Sequence, residues 1–233
     1  MRAETLFALN AEIARRRPAI VVTDLATGAQ RLVRAEEASQ DPLSQALEER
    51  FLSGASGLVT LGGQRLFFRT HRPSIRLVVI GAVHIAQVLA PMARLAGFDV
   101  AIVDPRAAFA SPERFPDVQV LAAWPDEALP ELKLDRRTGV IVLTHEPRID
   151  DQGLVAALAA DCFYIGALGS KKTHLKRVER LHALGYHQSA ISRIHAPVGM
   201  DIGALTPPEI AVSILAEVIA AQGRKPLRSE RAA

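Results

Sequence analysis

The sequence is poor in cysteine and in aromatic residues, and neither sign of charge predominates. Of its 233 residues, one is cysteine and 5% are aromatic, while 28 lysines and arginines stand against 25 acidic residues for a net charge of +3. A single cysteine excludes a disulfide framework and a cysteine-based zinc cluster. The balanced charge, with no basic stripe among aromatic residues, argues against nucleic acid as a partner.

Long apolar runs are also missing from the chain. No run approaches the ~18 residues that a membrane span needs, and the amino terminus lacks the apolar core of a cleavable signal. We therefore expect a soluble, cytoplasmic protein without a membrane span. With 49% hydrophobic residues, the chain is long enough to bury one large core or two small ones.

Residues 1–73 differ in character from the rest and predict a small α+β domain. The predicted elements are helices at 4–16 and 41–51, a hairpin of strands 19–23 and 30–34, and a second hairpin of strands 57–60 and 64–68. The second hairpin is predicted to turn at Gly62-Gly63. Pro73 marks the joint to the next domain, because proline cannot continue a strand ladder.

From residue 76 onward, short apolar segments alternate with helical ones. Strands are predicted at 77–80, 99–103, 118–121, 139–143, 163–165 and 191–195, and helices at 85–96, 151–160, 171–184 and 207–222. This alternation is typical of a parallel sheet covered on both faces. The predicted fold class is α/β: a Rossmann-like doubly wound parallel sheet in residues 74–223, with strand order 3-2-1-4-5-6. A flexible tail is expected at 224–233.

The first strand, turn and helix nearly match a dinucleotide-binding fingerprint. Gly81 suits the tight turn, and Ala86 stands where a small residue packs the helix on the sheet. Asp104 ends the second strand, where an acidic residue usually binds a ribose hydroxyl. The middle glycine is replaced by Val83, whose side chain would crowd a pyrophosphate. The motif leaves two alternatives open, NAD binding and a βαβ unit without a ligand.

Polar and glycine-rich loops follow the later strands, at the edge where open parallel sheets bind ligands. These residues are Thr144 and His145 after the fourth strand, Gly166, Gly169, Ser170, Lys171 and Lys172 after the fifth, and Asp201 after the sixth. Because the first, fourth and fifth strands are neighbours in the predicted order, we expect His84, Thr144, His145, Ser170 and Lys171 to border one crevice. The run from Gly166 resembles a phosphate cradle, in which glycines and helix N–H groups meet an anion. A helix cap at Ser170 with solvated lysines is the alternative.

The cysteine and the histidines offer little chemistry of their own. Cys162 opens an apolar strand and is interpreted as a buried, inert thiol rather than a nucleophile. His84, His145 and His174 have no spacing that fixes a metal geometry, so we predict no dedicated metal site. No catalytic residue is assigned.

Three longer strings are specific enough to suggest a family. They are IGAVHIA at residues 80–86, FYIGALGSKKTH at 163–174 and DIGALTPPEIA at 201–211. These strings resemble the XdhC/CoxI family, the accessory proteins of xanthine dehydrogenase and related molybdenum hydroxylases, over about residues 75–222. The family's usual first loop has glycine at the position of Val83, and its amino-terminal domain commonly carries Ser-Gly-Gly-Cys, whereas residues 32–37 here contain no cysteine.

The resemblance implies a protein that binds molybdenum cofactor without turnover. Such a chaperone protects the cofactor, hands it to a cysteine desulfurase for sulfuration and inserts it into the apo molybdenum hydroxylase. The residues expected to contact the cofactor are Gly81, His84, Asp104, Thr144, His145, Gly166, Gly169, Ser170, Lys171 and Asp201. An NAD-dependent oxidoreductase and a pure interaction protein are the alternative functions, and a homodimer is a further possibility.

Overall fold

The computed structural model describes residues 2–222, which fall into two compact units. The first unit ends at Pro73 and the second begins at Ser74. The tail predicted at 224–233 lies outside the described residues. Among the residues that are described, no helix is both long and apolar enough to cross a membrane.

The first unit is a four-stranded antiparallel sheet with a helix on each face. Its elements are α1 (Ala3–Ala14), β1 (Ala19–Asp24), β2 (Gln30–Arg34), a 3-10 helix (Ala35–Gln40), α2 (Ser44–Ser53), β3 (Gly57–Leu61) and β4 (Gln64–His71). The sheet order is β2-β1-β4-β3. Leu47 of α2 packs with Phe68 and Ile20 on one face, and Leu9 of α1 packs with Val21 on the other.

The start of α2 corrects one prediction. The helix does not open at Asp41 but three residues later, at Ser44. The Asp41 carboxylate accepts a hydrogen bond from the Leu43 N–H at 2.9 Å and pairs with the Arg31 guanidinium. Short acidic side chains compete with helix geometry in this way by bonding the backbone two residues on, so Asp41 forms a turn ahead of the helix.

The second unit is built on a six-stranded, fully parallel sheet. Its strands are β5 (Arg76–Ile80), β6 (Asp99–Val103), β7 (Gln119–Leu121), β8 (Thr138–Val142), β9 (Tyr164–Ala167) and β10 (Ile194–His195), arranged β10-β9-β8-β5-β6-β7. Every neighbouring pair is parallel. Numbered within this unit, the order is 3-2-1-4-5-6, so the predicted fold class and strand order are confirmed.

Helices cover both faces of this sheet. They are α3 (His84–Leu95), α4 (Pro125–Leu132), α5 (Pro147–Ala159), α6 (Lys171–Ala183), α7 (Gln188–Ile191) and α8 (Pro207–Ala221), with a 3-10 turn at Pro112–Arg114. The α3 and α8 helices pack on the face that carries Val79, and α4, α5 and α6 pack on the face that carries Val78 and Ile80. Alternate side chains of β5 therefore pack into two separate hydrophobic cores, one on each face of the sheet.

The sixth strand is shorter than predicted. Only Ile194–His195 pairs with β9, whereas Ile191 ends the α7 helix. The N–H of Ile191 donates to the His187 carbonyl at 3.1 Å. Both isoleucines are buried in the same core as Leu181, so their apolar character alone could not separate helix from strand.

A glycine inside α5 sets how closely that helix lies on the sheet. A Cβ added at Gly153 would lie 2.1 Å from the Cδ1 atom of Ile80 in β5. Because no real Cβ comes so close, the missing side chain lets α5 approach the sheet. The amino-terminal turn of α5 is thereby placed beside the carboxyl ends of β5 and β8.

Candidate functional site

Two regions at the carboxyl edge of the parallel sheet contain most of the predicted site residues. The first is the turn from β5 into α3. Gly81 has φ of +114°, and its N–H donates to the Val103 carbonyl at 2.8 Å. A Cβ at this position would lie 2.8 Å from the Cγ2 atom of Thr144. Gly81 is therefore required by both backbone angle and space, and the structure brings it against Thr144.

The helix that follows this turn has no side-chain cap. Val83 occupies the N-cap position of α3 with an extended backbone. His84 is exposed at the first helical position, and its Nδ1 atom lies 3.2 Å from the Oε1 atom of Gln87. Arg114 donates to the same Gln87 oxygen at 3.0 Å. The His84 ring and the Arg114 guanidinium therefore meet at the same side-chain amide.

Asp104 is fully buried, and its carboxylate is already hydrogen-bonded within the chain. It accepts from the N–H of Ala82 at 2.8 Å, and from the N–H, Nε and Nη2 groups of Arg106 at 3.0, 2.9 and 2.7 Å. Burial alone would raise the pKa of Asp104, but the hydrogen bonds from Arg106 and Ala82 outweigh it and hold the pKa below its usual value. A ribose hydroxyl would have to displace Arg106 to reach this carboxylate.

The second region is a cleft of about 270 Å³ between α5 and α6, beyond the ends of β8 and β9. Its walls are formed by His145, Pro147, Asp150, Lys172, Thr173, Lys176, Arg177 and Arg180. We call it the Arg177 cleft. Of the ten residues predicted to contact the cofactor, His145 is the one that lines this cleft. Lys172, from the predicted loop after the fifth strand, also lines it.

The loop after β9 brings Gly169 next to His145. Gly169 has φ of +128°, and a Cβ there would lie 3.1 Å from the Cγ2 atom of Thr173 and 3.6 Å from the Nδ1 atom of His145. His145 itself has φ of +61°, an uncommon angle for a residue with a side chain. The two loops after β8 and β9 therefore meet at the mouth of the Arg177 cleft.

Ser170 and Lys171 serve mainly as the start of α6. The Ser170 hydroxyl accepts a hydrogen bond from the Thr173 N–H at 3.2 Å, so the helix-cap interpretation is confirmed for Ser170. Lys171 is exposed at the first helical position and does not line the cleft, whereas Lys172 does.

Arg177 lines the cleft but was not among the residues expected from the sequence, and the same holds for Asp150, Lys176 and Arg180. Its side chain is only 2% exposed. The Nη2 atom donates to the Leu168 carbonyl at 3.0 Å, but Nε and Nη1 have no hydrogen-bond partner among the described residues. Burial lowers the pKa of Arg177 from its usual value. A buried guanidinium with two nitrogens left without a hydrogen-bond partner among the described residues is costly for the protein.

Asp150 connects Arg177 to the loop after β8. It is 2% exposed, and its Oδ1 atom accepts from the hydroxyl and the N–H of Thr144 at 2.6 and 3.2 Å. The Oδ2 atom lies 3.9 Å from the Nη2 atom of Arg177, too far for a hydrogen bond. Burial raises the pKa of Asp150 above its usual value. Thr144 does not itself line the cleft, but it is hydrogen-bonded to Asp150, which does.

The other cations of the cleft differ in how they are compensated. Arg180 forms two short contacts with Asp151, Nε to Oδ2 at 2.5 Å and Nη2 to Oδ1 at 2.9 Å. Lys172 and Lys176 are exposed on the same side of α6. The positive charge available to an incoming anion therefore comes from the two lysines and Arg177.

Gly166 and Asp201 lie outside the Arg177 cleft. A Cβ at Gly166 would lie 2.5 Å from the Cγ2 atom of Val198 and 2.9 Å from the ring of Tyr164, so this glycine permits tight packing. Asp201 is exposed in the loop between β10 and α8. The start of that loop is held by Glu217, which accepts from the Gly199 N–H at 2.8 Å and from the Tyr164 hydroxyl at 2.5 Å.

Cys162 is buried, as predicted, and burial raises the pKa of its thiol to about 12. The thiol is therefore protonated at neutral pH and unsuited to act as a nucleophile. Within residues 2–222, no group of three or more histidine, cysteine or acidic side chains is arranged to hold a metal ion.

Comparison with known proteins extends these observations. Residues 77–218, more than half of the chain, match the family model of the XdhC Rossmann domain. The chain is 35% identical over 147 residues to the molybdenum cofactor insertion chaperone PaoD of Escherichia coli, covering 63% of this chain and 40% of that protein. It is 34% identical over 160 residues to a probable xanthine dehydrogenase subunit of Bacillus subtilis, covering 68% of this chain and 46% of that protein.

A solved structure shows the same fold. The crystal structure of a xanthine dehydrogenase from Bacillus halodurans aligns over 96% of this chain and 65% of that chain, with a TM-score of 0.67 and 23% identity. The chain spans less than half the length of the curated relatives that it matches.

Proposed function

This chain belongs to the XdhC family, and from that premise we propose that it is an accessory protein that holds molybdenum cofactor and delivers it to a molybdenum hydroxylase of the xanthine dehydrogenase type. The name of the Escherichia coli relative, a molybdenum cofactor insertion chaperone, supports this role. The name of the Bacillus subtilis relative supports the class of client enzyme.

The observation that carries the proposal is the Arg177 cleft. Molybdenum cofactor is a pterin that bears a phosphate, and the cleft offers Lys172, Lys176 and Arg177 beside the amino terminus of α6. Basic side chains and helix N–H groups are the usual partners of phosphate. The two unpartnered nitrogens of Arg177 fit such a ligand, because an anion would satisfy donors that the chain leaves unmet.

The steps around binding form the rest of the proposal. The loops that carry His145 and Gly169 would shield the bound cofactor while a cysteine desulfurase supplied its sulfur, and this chain would release the cofactor to the apo-enzyme without chemistry of its own. The buried Cys162 thiol supports a holding role, because its raised pKa keeps it from acting as a sulfur acceptor.

The structure gives the NAD-dependent alternative less support. Asp104 is hydrogen-bonded to Arg106 rather than free for a ribose. Val83 stands at the N-cap of α3, where a pyrophosphate would approach the helix. We therefore advance no second function.

Equilibrium dialysis of the purified chain tests the proposal, with molybdenum cofactor and NAD as parallel ligands. We expect retention of the cofactor, measured as bound molybdenum and as pterin fluorescence after oxidation, and no measurable retention of NAD. Incubation of the loaded chain with apo molybdenum hydroxylase should then activate the enzyme faster than free cofactor does. Retention of NAD without retention of cofactor would overturn the proposal.

A further inference from the structure

We infer that the Arg177 cleft is a binding site for a tetrahedral dianion of the phosphate monoester type, and that Arg177 is the side chain that recognises it. This inference deepens the proposed function and rests on it for the identity of the natural ligand. The same chemistry is offered by a phosphate monoester on an organic molecule and by a free inorganic oxyanion, and the two sources are separated by experiment below.

The burial of Arg177 is the first support. Its side chain is 98% removed from solvent, yet Nε and Nη1 have no partner among the described residues, and the residue lines the cleft. Arginine remains charged under ordinary conditions and presents its donors in a planar fork that matches two oxygens of a phosphate. A guanidinium kept buried with half of this fork unpaired is costly for the protein alone. The cost is offset when an anion enters.

The surroundings of Arg177 set the charge of the ligand. Arg180 is paired with Asp151, which leaves the cations of Lys172, Lys176 and Arg177 facing the carboxyl group of Asp150. With Asp150 ionised, the cleft carries an excess of two positive charges. A phosphate monoester carries about −1.5 to −2 at pH 7, so it balances this excess better than a carboxylate or a phosphodiester does.

The amino terminus of α6 adds a directional preference for an anion. This helix has 13 residues, and its first turn presents N–H groups that have no partner within the helix. Ser170 caps the N–H of Thr173, while Lys172 and Thr173 belong to the cleft wall. The end of the helix, the two lysines and the buried guanidinium therefore border the same cleft, where each of them favours an anion.

The test is calorimetric titration with three probes: phenyl phosphate, inorganic phosphate and molybdate. Wild-type protein is expected to bind at least one of them, and Arg177→Met is expected to weaken that binding by about tenfold or more, the loss typical of removing a charged hydrogen-bond donor. Asp150→Asn should tighten binding, because it removes the opposing charge. Arg136→Gln, at the amino-terminal end of β8 and paired with Asp161, is the matched control and should bind as wild type does.

The two sources are distinguished by the order of affinities. Tighter binding of phenyl phosphate than of inorganic phosphate or molybdate supports a phosphate monoester on an organic molecule. The reverse order supports a free oxyanion. Equal binding by wild type and Arg177→Met, or no binding of any probe, overturns the inference.

A second variant provides an independent test in case Arg177→Met does not fold. Lys172 and Lys176 are exposed, so Lys172→Gln/Lys176→Gln should keep the wild-type melting temperature and still weaken binding of the same probe. Unaltered binding in this variant also contradicts the inference.

The outcome separates the inference from the proposed function. Binding of phenyl phosphate that depends on Arg177, without retention of molybdenum cofactor, would leave the site standing and remove the function. Retention of the cofactor by Arg177→Met at the wild-type level would leave the proposed function standing and remove the inferred role of Arg177.

Discussion

Two buried aspartates lie at the same edge of the same parallel sheet, and their surroundings are opposite. Asp104, after β6, accepts hydrogen bonds from two backbone N–H groups and from the Nε and Nη2 atoms of Arg106. Asp150, in α5, faces Arg177 across 3.9 Å, and two nitrogens of the arginine have no partner within residues 2–222. One ion pair is complete within the chain, and the other is open toward a cleft.

The difference separates a buried carboxylate that the chain itself satisfies from a buried arginine that keeps two nitrogens without a partner among the described residues. In dinucleotide-binding domains the acidic residue after the second strand serves the ligand, whereas here Arg106 satisfies it. Completed buried pairs are structural, and incomplete ones, lining a cavity, indicate a ligand. Four predictions sharpen this contrast.

The largest effect is expected from removing the complete pair. Asp104→Ala leaves the N–H of Ala82 and the Arg106 guanidinium without their acceptor, and we expect a loss of about 3 kcal/mol in the free energy of unfolding. Urea denaturation measures this loss. Asp201→Asn, in an exposed loop, is the control and should change stability by less than about 0.5 kcal/mol. Similar midpoints for both variants would contradict a structural role for Asp104.

The two aspartates should also give stability opposite dependence on pH. The pKa of Asp104 is lowered, so its contribution is present above the unfolded value of about 3.9 and is lost as pH falls through the lower folded value. The pKa of Asp150 is raised, so its contribution is full below about 3.9 and is lost as pH rises through the higher folded value.

Denaturation midpoints of Asp150→Asn across a pH series test this second prediction. The variant should lack the decline of stability on the alkaline side of about pH 4, which amounts to about 1.4 kcal/mol for each unit by which the pKa is raised. Asn keeps an oxygen that accepts from Thr144, so the local hydrogen bonds persist. A decline as steep as that of wild type would count against a raised pKa at Asp150.

Removing the side chains that block the dinucleotide position at the start of α3 should create affinity for a dinucleotide. Val83→Gly removes the side chain at the N-cap of α3, and Arg106→Ala frees the Asp104 carboxylate. We expect the double variant to bind NAD about tenfold more tightly than Val83→Gly alone, the effect of one added charged hydrogen bond. Dialysis against NAD measures the affinities. Equal binding by wild type and both variants would show that neither residue closes the site.

The smallest effects are expected at the two lysines that open α6. Lys172 lines the Arg177 cleft and Lys171 does not, so Lys172→Ala should weaken cofactor retention and its salt dependence more than Lys171→Ala does. Neither change should lower the melting temperature, because positive charge at a helix amino terminus is disfavoured by about 0.3–1 kcal/mol. Retention across a salt series and a thermal scan supply the measurements. Identical salt dependence in the two variants would mean that the lysines are only a solvated surface.

The sheet could be predicted from the sequence because its strands are short, continuous apolar runs. β8, for example, is buried at all five positions. Its continuous apolar run is typical of a central parallel strand. The prediction failed at Ile191, where a buried helical turn and a buried strand carry the same apolar residues. Gly81 and Thr144 lie together because they follow β5 and β8, which are neighbours in the predicted strand order.

The main side chains of the cleft could not be predicted in the same way. Arg177 is buried while Leu175, two residues before it, is 64% exposed, the reverse of their hydropathies. One signal was available: Thr173, Arg177 and Leu181 recur every four residues, which places the arginine on the helix face that carries a core leucine. Whether such an arginine is paired depends on Asp150, which lies on another helix.

The close approach of α5 to the sheet at Gly153 means that packing inside the core helps to position one wall of the Arg177 cleft. The same helix carries Asp150 and Pro147, which form one wall of the Arg177 cleft. A single methyl group at Gly153 would meet the Cδ1 atom of Ile80, so either that side chain or the helix that carries the wall would have to move. A residue that does not line the cleft therefore helps to set where one of its walls lies.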